Sequence, residues 1–312
     1  MNIAIIGAGL IGQAWAIVFA RAGCQVRLWD GDAAALDRAV ELIAHQAHEL
    51  QRQQLLDDAG ALAGRVRACP DLGDALRDAA YAQESLPEVV ALKKDIFSRL
   101  DALAAPTTIL ASSTSSIPAS AFTEHLSGRG RCLVAHPVNP PYLVPVVELC
   151  GAPWTEPASV DTARAIMKDV GQKPVVVRKE LEGFILNRLQ GALLREAFRL
   201  VQNGYVSVED LDATVKDGLG LRWSFMGPFE TIDLNAPDGL ADYCGRYGGM
   251  YESIAKEQAD TSAWPAGLIA EIEEQRRAQL PASGLLDRRL WRDQRLMALL
   301  RHKKQTETTG ST

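Results

Sequence analysis

The chain is poor in lysine and cysteine and carries no excess of basic charge. No lysine precedes Lys93, and five cysteines, Cys24, Cys69, Cys132, Cys150 and Cys244, are scattered over 312 residues. An odd, widely spaced set excludes a disulfide framework or a paired-cysteine zinc site and predicts reduced thiols in a cytoplasmic protein. The formal net charge of −6 offers nothing to a nucleic acid or an anionic membrane, so neither is expected as a partner. His45 and His48 lie one helical turn apart without a third ligand nearby, the pattern of an exposed pair on a polar helix, and no metal is expected. A long apolar run is also missing. The opening stretch "IAIIGAGLIGQAWAIVFARAG" has only Met1 and Asn2 ahead of it and is broken by Gln13. It is therefore expected to be neither a secretion signal nor a membrane span, which need a basic leader or about 20 uninterrupted apolar residues.

What that stretch does contain is Gly7, Gly9 and Gly12, the spacing G-x-G-x-x-G. In a dinucleotide-binding unit the first glycine makes the tight turn out of a strand, here Ile3 to Ile6. The second lets a pyrophosphate approach the backbone, and the third lets the following helix pack against the strand. Leu10 and Ile11 open that helix, whose unpaired N–H groups and positive dipole suit phosphates. "CQVRLWD" follows as a second strand and ends on Asp30, 18 residues after Gly12. A carboxylate there accepts from both hydroxyls of an adenosine ribose and repels a 2′-phosphate, which favours NAD over NADP. The alternative is that Asp30 caps the next helix.

Hydrophobic content of 47% and charged content of 23% fit a globular protein, and the length suits two domains. A helical stretch runs from Asp32 to about Gly64, broken near Asp57 to Gly60. Strands are expected near Val66 to Ala68 and at "AYAQES", followed by a helix from Glu88 to about Ala104 with Leu92, Ile96 and Leu100 on one face. "TTILASST", "RCLVAHPV", "PVVELC" and "KPVVVRKE" are further strands, the last two separated by the helix of "VDTARAIMKDVG". This alternation predicts an α/β fold, a doubly wound Rossmann-type dinucleotide-binding domain over residues 1–182. From Gly183 strand signals stop, so residues 183–312 are expected to form an all-helical C-terminal substrate domain. It begins with "GFILNRLQGALLREAFRLVQNG" as one long amphipathic helix, and a Ser207 to Asp210 capping box opens the next. Loops are expected at "GPFE" and "WPAG", and the tail "HKKQTETTGST" is expected to fray. Too thin in core to stand alone, the helical half is expected to join two copies as a homodimer. No internal repeat is present.

Three places put polar groups where apolar ones belong. His136 ends the strand "RCLVAHPV", where open α/β sheets present groups to ligands, and Glu148 lies twelve residues on among valines. A buried carboxylate needs a partner. Paired with Glu148, His136 keeps one ring nitrogen free to take a proton from a substrate hydroxyl, unless the pair is structural only. Ser115 in "ASSTSSIPAS" is the hydroxyl placed to reach the same cleft, if Ser116 or Ser120 is the helix cap. Asn187 falls on the row Phe184, Asn187, Gly191, Leu194, Phe198, so its amide is either bonded in the core or faces a ligand.

The segments "GAGLIG", "ESLPEVVALKK", "SSTSS", "AHPVNPPYLVPVVEL", "KELEGFILNRLQ" and "GLGLRWSFMGPFETIDLNAP" resemble, in order and over nearly the whole chain, the 3-hydroxyacyl-CoA dehydrogenase superfamily, most closely its lambda-crystallin or L-gulonate 3-dehydrogenase branch. The resemblance implies His136 as catalytic base, Glu148 as its partner and Ser115 on the reacting hydroxyl. It implies Asn139 and Asn187 in the substrate and nicotinamide pocket, and Glu88 and Lys93 at the nicotinamide ribose. The expected reaction is NAD-dependent oxidation of a 3-hydroxyl without a metal.

The superfamily divides between CoA thioesters and small free acids such as gulonate or carnitine. Residues 31–68, which follow the second strand, hold six acids, four arginines and no lysine, a poor cradle for CoA phosphates. A free hydroxy acid is therefore the expected partner, with Arg222 in "GLRWSF" as the candidate for its carboxylate, unless that arginine forms a structural ion pair. L-3-Hydroxyacyl-CoA and carnitine dehydrogenases are the alternatives within the class. Outside it stand a non-catalytic, crystallin-like structural protein, against which the filled catalytic positions argue, and a coenzyme-sensing regulator, for which no DNA-binding patch exists.

Overall fold

A computed structural model describes residues 1–258 and 263–309. Eight strands, β1 (Asn2–Ile6), β2 (Gln25–Trp29), β3 (Val66–Ala68), β4 (Tyr81–Glu84), β5 (Ile109–Ser112), β6 (Cys132–Pro137), β7 (Val146–Gly151) and β8 (Lys173–Val177), form one sheet in the order β3-β2-β1-β4-β5-β6-β7-β8. The chain leaves β1 in one direction through β2 and β3, then crosses back to β4 on the other side. The topological switch point thus lies between β1 and β4. β1 explains why an unbroken apolar run reads as a strand here: Ile3 and Ile5 enter one core, Ala4 and Ile6 the other. Trp15 and Phe19 of the helix Leu10–Arg21 fill the first core, and Phe97 and Phe122 the second.

Two strands, β7 and β8, run against the other six. β7 runs antiparallel to β6, because residues 138–145 are too few for the dozen or more that a parallel crossover needs. The resulting register sets His136 directly opposite Glu148.

The helical stretch after Asp30 divides into Ala33–Arg52 and Ala59–Ala63, and a short helix at Leu72–Leu76 was not anticipated. Every described element after β8 is helical. The long helix begins at Leu186 and not at Gly183, because Gly183 and Phe184 take left-handed backbone angles, φ +74° and +49°. Phe184 therefore leaves the helical row on which periodicity placed it. Ser207 caps Val208–Ala213, accepting from the Asp210 amide while its hydroxyl donates to the Asp210 carboxylate at 2.8 Å. "GPFE" is no loop: Pro228 opens the helix Pro228–Asp233, a position where its missing N–H costs nothing. The last helix, Leu285–Thr309, runs on into the polar tail, and residues 310–312 lie outside the described part.

By contacts the chain forms two compact units, Leu189–Arg288 and the remainder. The last helix belongs with the sheet because Met297 is buried in the first core, with Leu296 and Leu300 packed against it. Four of the five thiols are buried, and all are free. No described helix is long and apolar enough to cross a membrane.

Candidate active site

Along the carboxyl edge of the sheet the strand ends deliver Asp30, Gly7, Ser85, Ser113 and His136 to one cleft of about 860 Å³. Each glycine at its mouth has a separate reason. A Cβ on Gly7, at φ +108°, would meet the Ser85 carbonyl oxygen at 2.8 Å, and one on Gly12 the Gly7 carbonyl oxygen at 1.8 Å. Gly9 has nothing within 4 Å of where its Cβ would stand and lines the cleft, so the space a side chain would fill is open to a phosphate. No side chain caps the helix at Leu10 and no acid lies in its first turn, which leaves the leading amides of Leu10 and Ile11 to a ligand. Asp30 accepts from the Ala8 amide at 2.7 Å and the Asp32 amide at 2.9 Å. The capping role belongs instead to Asp32, which accepts from the Ala34 amide. These residues fit a pyrophosphate flanked by a ribose.

At the other end, His136 is 5% exposed and its Nδ1 lies 2.9 Å from Glu148 Oε2. The other carboxylate oxygen accepts from the Ile185 amide at 2.8 Å and the Leu186 amide at 3.0 Å, so Glu148 also satisfies the start of the helix Leu186–Gln202. Burial works against ionisation of Glu148, but the bonds from His136, Leu186 and Ile185 outweigh it and hold the pKa below the ordinary carboxylate range. With Oε2 ionised, Nδ1 carries the hydrogen and Nε2 is left as an acceptor. Phe184 packs its ring 5.4 Å from the imidazole, a contact that its left-handed backbone permits.

Between these ends stands Glu88. Its Oε1 accepts from the Ser115 amide, from the Ser115 hydroxyl at 2.8 Å and from the Thr114 hydroxyl at 3.1 Å. Burial opposes the Glu88 charge, but these bonds and the charge of Lys93 win, and its pKa is lowered. Thr114 Oγ1 accepts from the Ile117 amide at 2.9 Å in a turn ahead of the helix Ser120–Thr123, whose cap position is Ala119 without a side-chain bond, so neither Ser116 nor Ser120 is the cap. Lys93 is sealed: 1% exposed, it holds both oxygens of the fully buried Glu84 at 3.0 and 3.1 Å and reaches Glu88 at 3.7 Å. The buried face of its helix is Lys93, Ile96, Phe97 and Leu100, so Ile96 and Leu100 lie where expected while Leu92 is only half-buried.

Asn187 donates to the Ser115 carbonyl oxygen at 3.0 Å, and Asn139 lines the cleft beside His136. Arg222, on the helix Gly220–Trp223, belongs to the other compact unit and has no ion pair among the described residues. Gln83, Glu84, Ser85, Ser112 and Ser113 went unnoticed in the sequence. Gln83 and Glu84 carried the signal that singled out Glu148, polar residues inside an apolar strand. Among the described residues no cluster of three His, Cys, Asp or Glu could hold a metal.

Comparison with known proteins identifies the family. The 3-hydroxyacyl-CoA dehydrogenase NAD binding domain matches residues 2–181 and the C-terminal domain of the same family residues 183–275. Rabbit lambda-crystallin is 38% identical over 98% of this chain and 97% of its own. An L-carnitine dehydrogenase of Streptomyces griseus is 40% identical over 88% of this chain and 82% of its own. Among solved structures, an NAD+-dependent 5-formyl-3-hydroxy-2-methylpyridine 4-carboxylic acid 5-dehydrogenase superposes with a TM-score of 0.83 at 29% identity, covering 96% of this chain and 97% of its own. A glycine loop built for a dinucleotide, an imidazole held by a buried carboxylate and family matches over both halves together make this chain an NAD-dependent dehydrogenase of the 3-hydroxyacyl-CoA dehydrogenase family.

Proposed function

We propose that the chain oxidises the 3-hydroxyl of a small free hydroxy acid, with L-gulonate as the best candidate. NAD supplies the hydride acceptor when bound. Gly7, Gly9, Gly12 and the amides of Leu10 and Ile11 would hold its pyrophosphate, Asp30 its adenosine ribose, and Glu88 and Asn139 its nicotinamide end. Lys93 would act there through Glu88. Ser115 and Asn187 orient the substrate hydroxyl, and His136 Nε2 takes its proton. Glu148 stabilises the imidazolium that results. The observation that carries this reading is the shared carboxylate of Glu148, which fixes the tautomer a base requires.

The choice of a free acid rests on charge. The helices Ala33–Arg52 and Ala59–Ala63, which follow β2, contain no lysine to meet CoA phosphates, and Arg222 is a cation available for one carboxylate. L-Carnitine is a second reading, favoured by the 40% identical carnitine dehydrogenase. NADH formation measured with L-gulonate, L-carnitine, free 3-hydroxybutyrate and L-3-hydroxybutyryl-CoA separates them. Turnover of the thioester alone would overturn the free-acid reading. Within the helical half expected over residues 183–312, the compact unit Leu189–Arg288 would serve as substrate and dimerisation domain of a cytoplasmic homodimer, a role supported by the exposed Leu189, Leu221, Phe225 and Phe229.

Asp30→Ala should weaken NAD by ~1.5–3 kcal/mol, the worth of hydrogen bonds to a charged group, and shrink the preference over NADP with it. Since Asp32 holds the helix cap, the loss should appear in coenzyme titrations and not as helix instability. Unchanged NAD affinity would remove Asp30 from the site.

A further inference from the structure

The ends of β4 and β5 carry a chain of hydroxyls and amides that the reaction above leaves unused. Buried Tyr81 donates its phenol to Gln83 Oε1 at 2.6 Å. The Gln83 amide nitrogen places its two hydrogens on the Ala135 carbonyl oxygen at 3.2 Å and on Ser113 Oγ at 2.7 Å. A carbonyl can only accept, so the amide has one orientation. Trp15 Nε1, which can only donate, points at the same Ser113 Oγ from 3.1 Å. With two N–H donors on its oxygen, Ser113 cannot accept from Ser85 as well, so in the 2.9 Å contact with Ser85 Oγ it is Ser113 that donates. The direction of every bond is thereby set from the buried end outward. Ser85 is the terminus: it accepts from Ser113, and its own proton is left for the cleft it lines.

The position of that proton follows from topology. β4 lies between β1 and β5, so the cleft edge runs Asp30, Gly7, Ser85, Ser113, His136, one strand, about 4.8 Å, per step. A dinucleotide with its adenosine ribose at Asp30 and its pyrophosphate at the glycine loop passes Ser85 with its nicotinamide riboside, two strands before the imidazole. We propose that Ser85 is a coenzyme-binding residue, donating a hydrogen bond to an oxygen of the nicotinamide riboside from a hydroxyl oriented by Ser113, Gln83 and Tyr81. A donor already aimed loses little freedom on binding, which is where preorganisation gains affinity. The proposal rests on the cleft being the NAD site.

Calorimetric titration of wild type and Ser85→Ala with NADH, ADP-ribose and ADP tests both. NADH should bind about five- to tenfold more weakly to the variant, the loss of one neutral hydrogen bond, with ADP unchanged. An equal loss for ADP-ribose assigns the contact to the ribose, and a loss for NADH alone assigns it to the carboxamide. Either result supports the proposal. Equal affinities in the two proteins would overturn it while leaving the coenzyme site intact. A matching loss for ADP would overturn it by moving the contact to a phosphate. If wild type binds none of the three, the reading of the cleft fails and Ser85 fails with it.

Discussion

Replacing His136 by alanine is expected to lower kcat by ~10²–10⁴-fold while NADH still binds, since a positioned base contributes about that much and the glycine loop is untouched. Near-normal turnover would sink the mechanism. Glu148→Gln should cost nearly as much, for a different reason. An amide can still accept from Ile185 and Leu186 through one oxygen, but it presents N–H to the imidazole where the carboxylate presented an acceptor. His136 must then accept at Nδ1 and carry its hydrogen on Nε2, the wrong tautomer for a base. The acid limb of stability should change too. The folded-state pKa of Glu148 is depressed, so its contribution is complete above the ordinary carboxylate pKa and is lost as pH falls through the folded value. Glu148→Gln should flatten that limb in melting curves between pH 7 and pH 3. A purely structural pair predicts lower melting temperatures with normal specific activity in both variants.

The second large effect belongs to Lys93. Its replacement by methionine strands the Glu84 carboxylate, 0% exposed, with only the Leu86 amide and the Ser112 hydroxyl. Removing one partner of a buried ion pair typically costs ~3–5 kcal/mol, a fall in melting temperature on the order of 10 °C for a chain of this size. Glu84→Gln combined with Lys93→Met should recover much of the loss, because no charge is then left unpaired. If the double variant is no more stable than the single one, the pair is not the source. If Lys93→Met weakens NADH binding without lowering the melting temperature, the ammonium acts on the coenzyme directly.

Much of this site could be read from residue order. The glycine spacing implied its own geometry because each step has a steric cause, and Gly12 shows it most plainly, since a Cβ there would overlap the Gly7 carbonyl. His136 and Glu148 stood out as polar groups in apolar strands, but their direct opposition depends on β7 turning antiparallel, which only the shortness of residues 138–145 hints at. Asp30 kept helix capping as its alternative reading because an acid just ahead of a helix suits a cap as well as a ribose; the structure gives the cap to Asp32. Phe184 defeated periodicity altogether: its left-handed backbone lets the ring leave the helical row and pack on the imidazole. The resemblance implied Lys93 at the nicotinamide ribose, and nothing in the residue order pointed to the carboxylate nine residues earlier on another element that seals it.

Glu148 serves two masters, the imidazole with one oxygen and the first amides of a 17-residue helix with the other. Active-site groups commonly trade against robustness, so a lineage released from catalysis sheds them and gains stability. Here the exchange runs the other way. A descendant of this chain recruited for bulk or refractive duty would still lose a helix anchor by discarding the acceptor oxygen, so purifying pressure on folding alone would keep Glu148 or exchange it for glutamine. Persistence of an acceptor at position 148 is therefore no record of turnover; under the proposed mechanism that record would be held by the Glu148 charge, by His136 and by the Ser115 hydroxyl, which anchor no helix and would be free to drift.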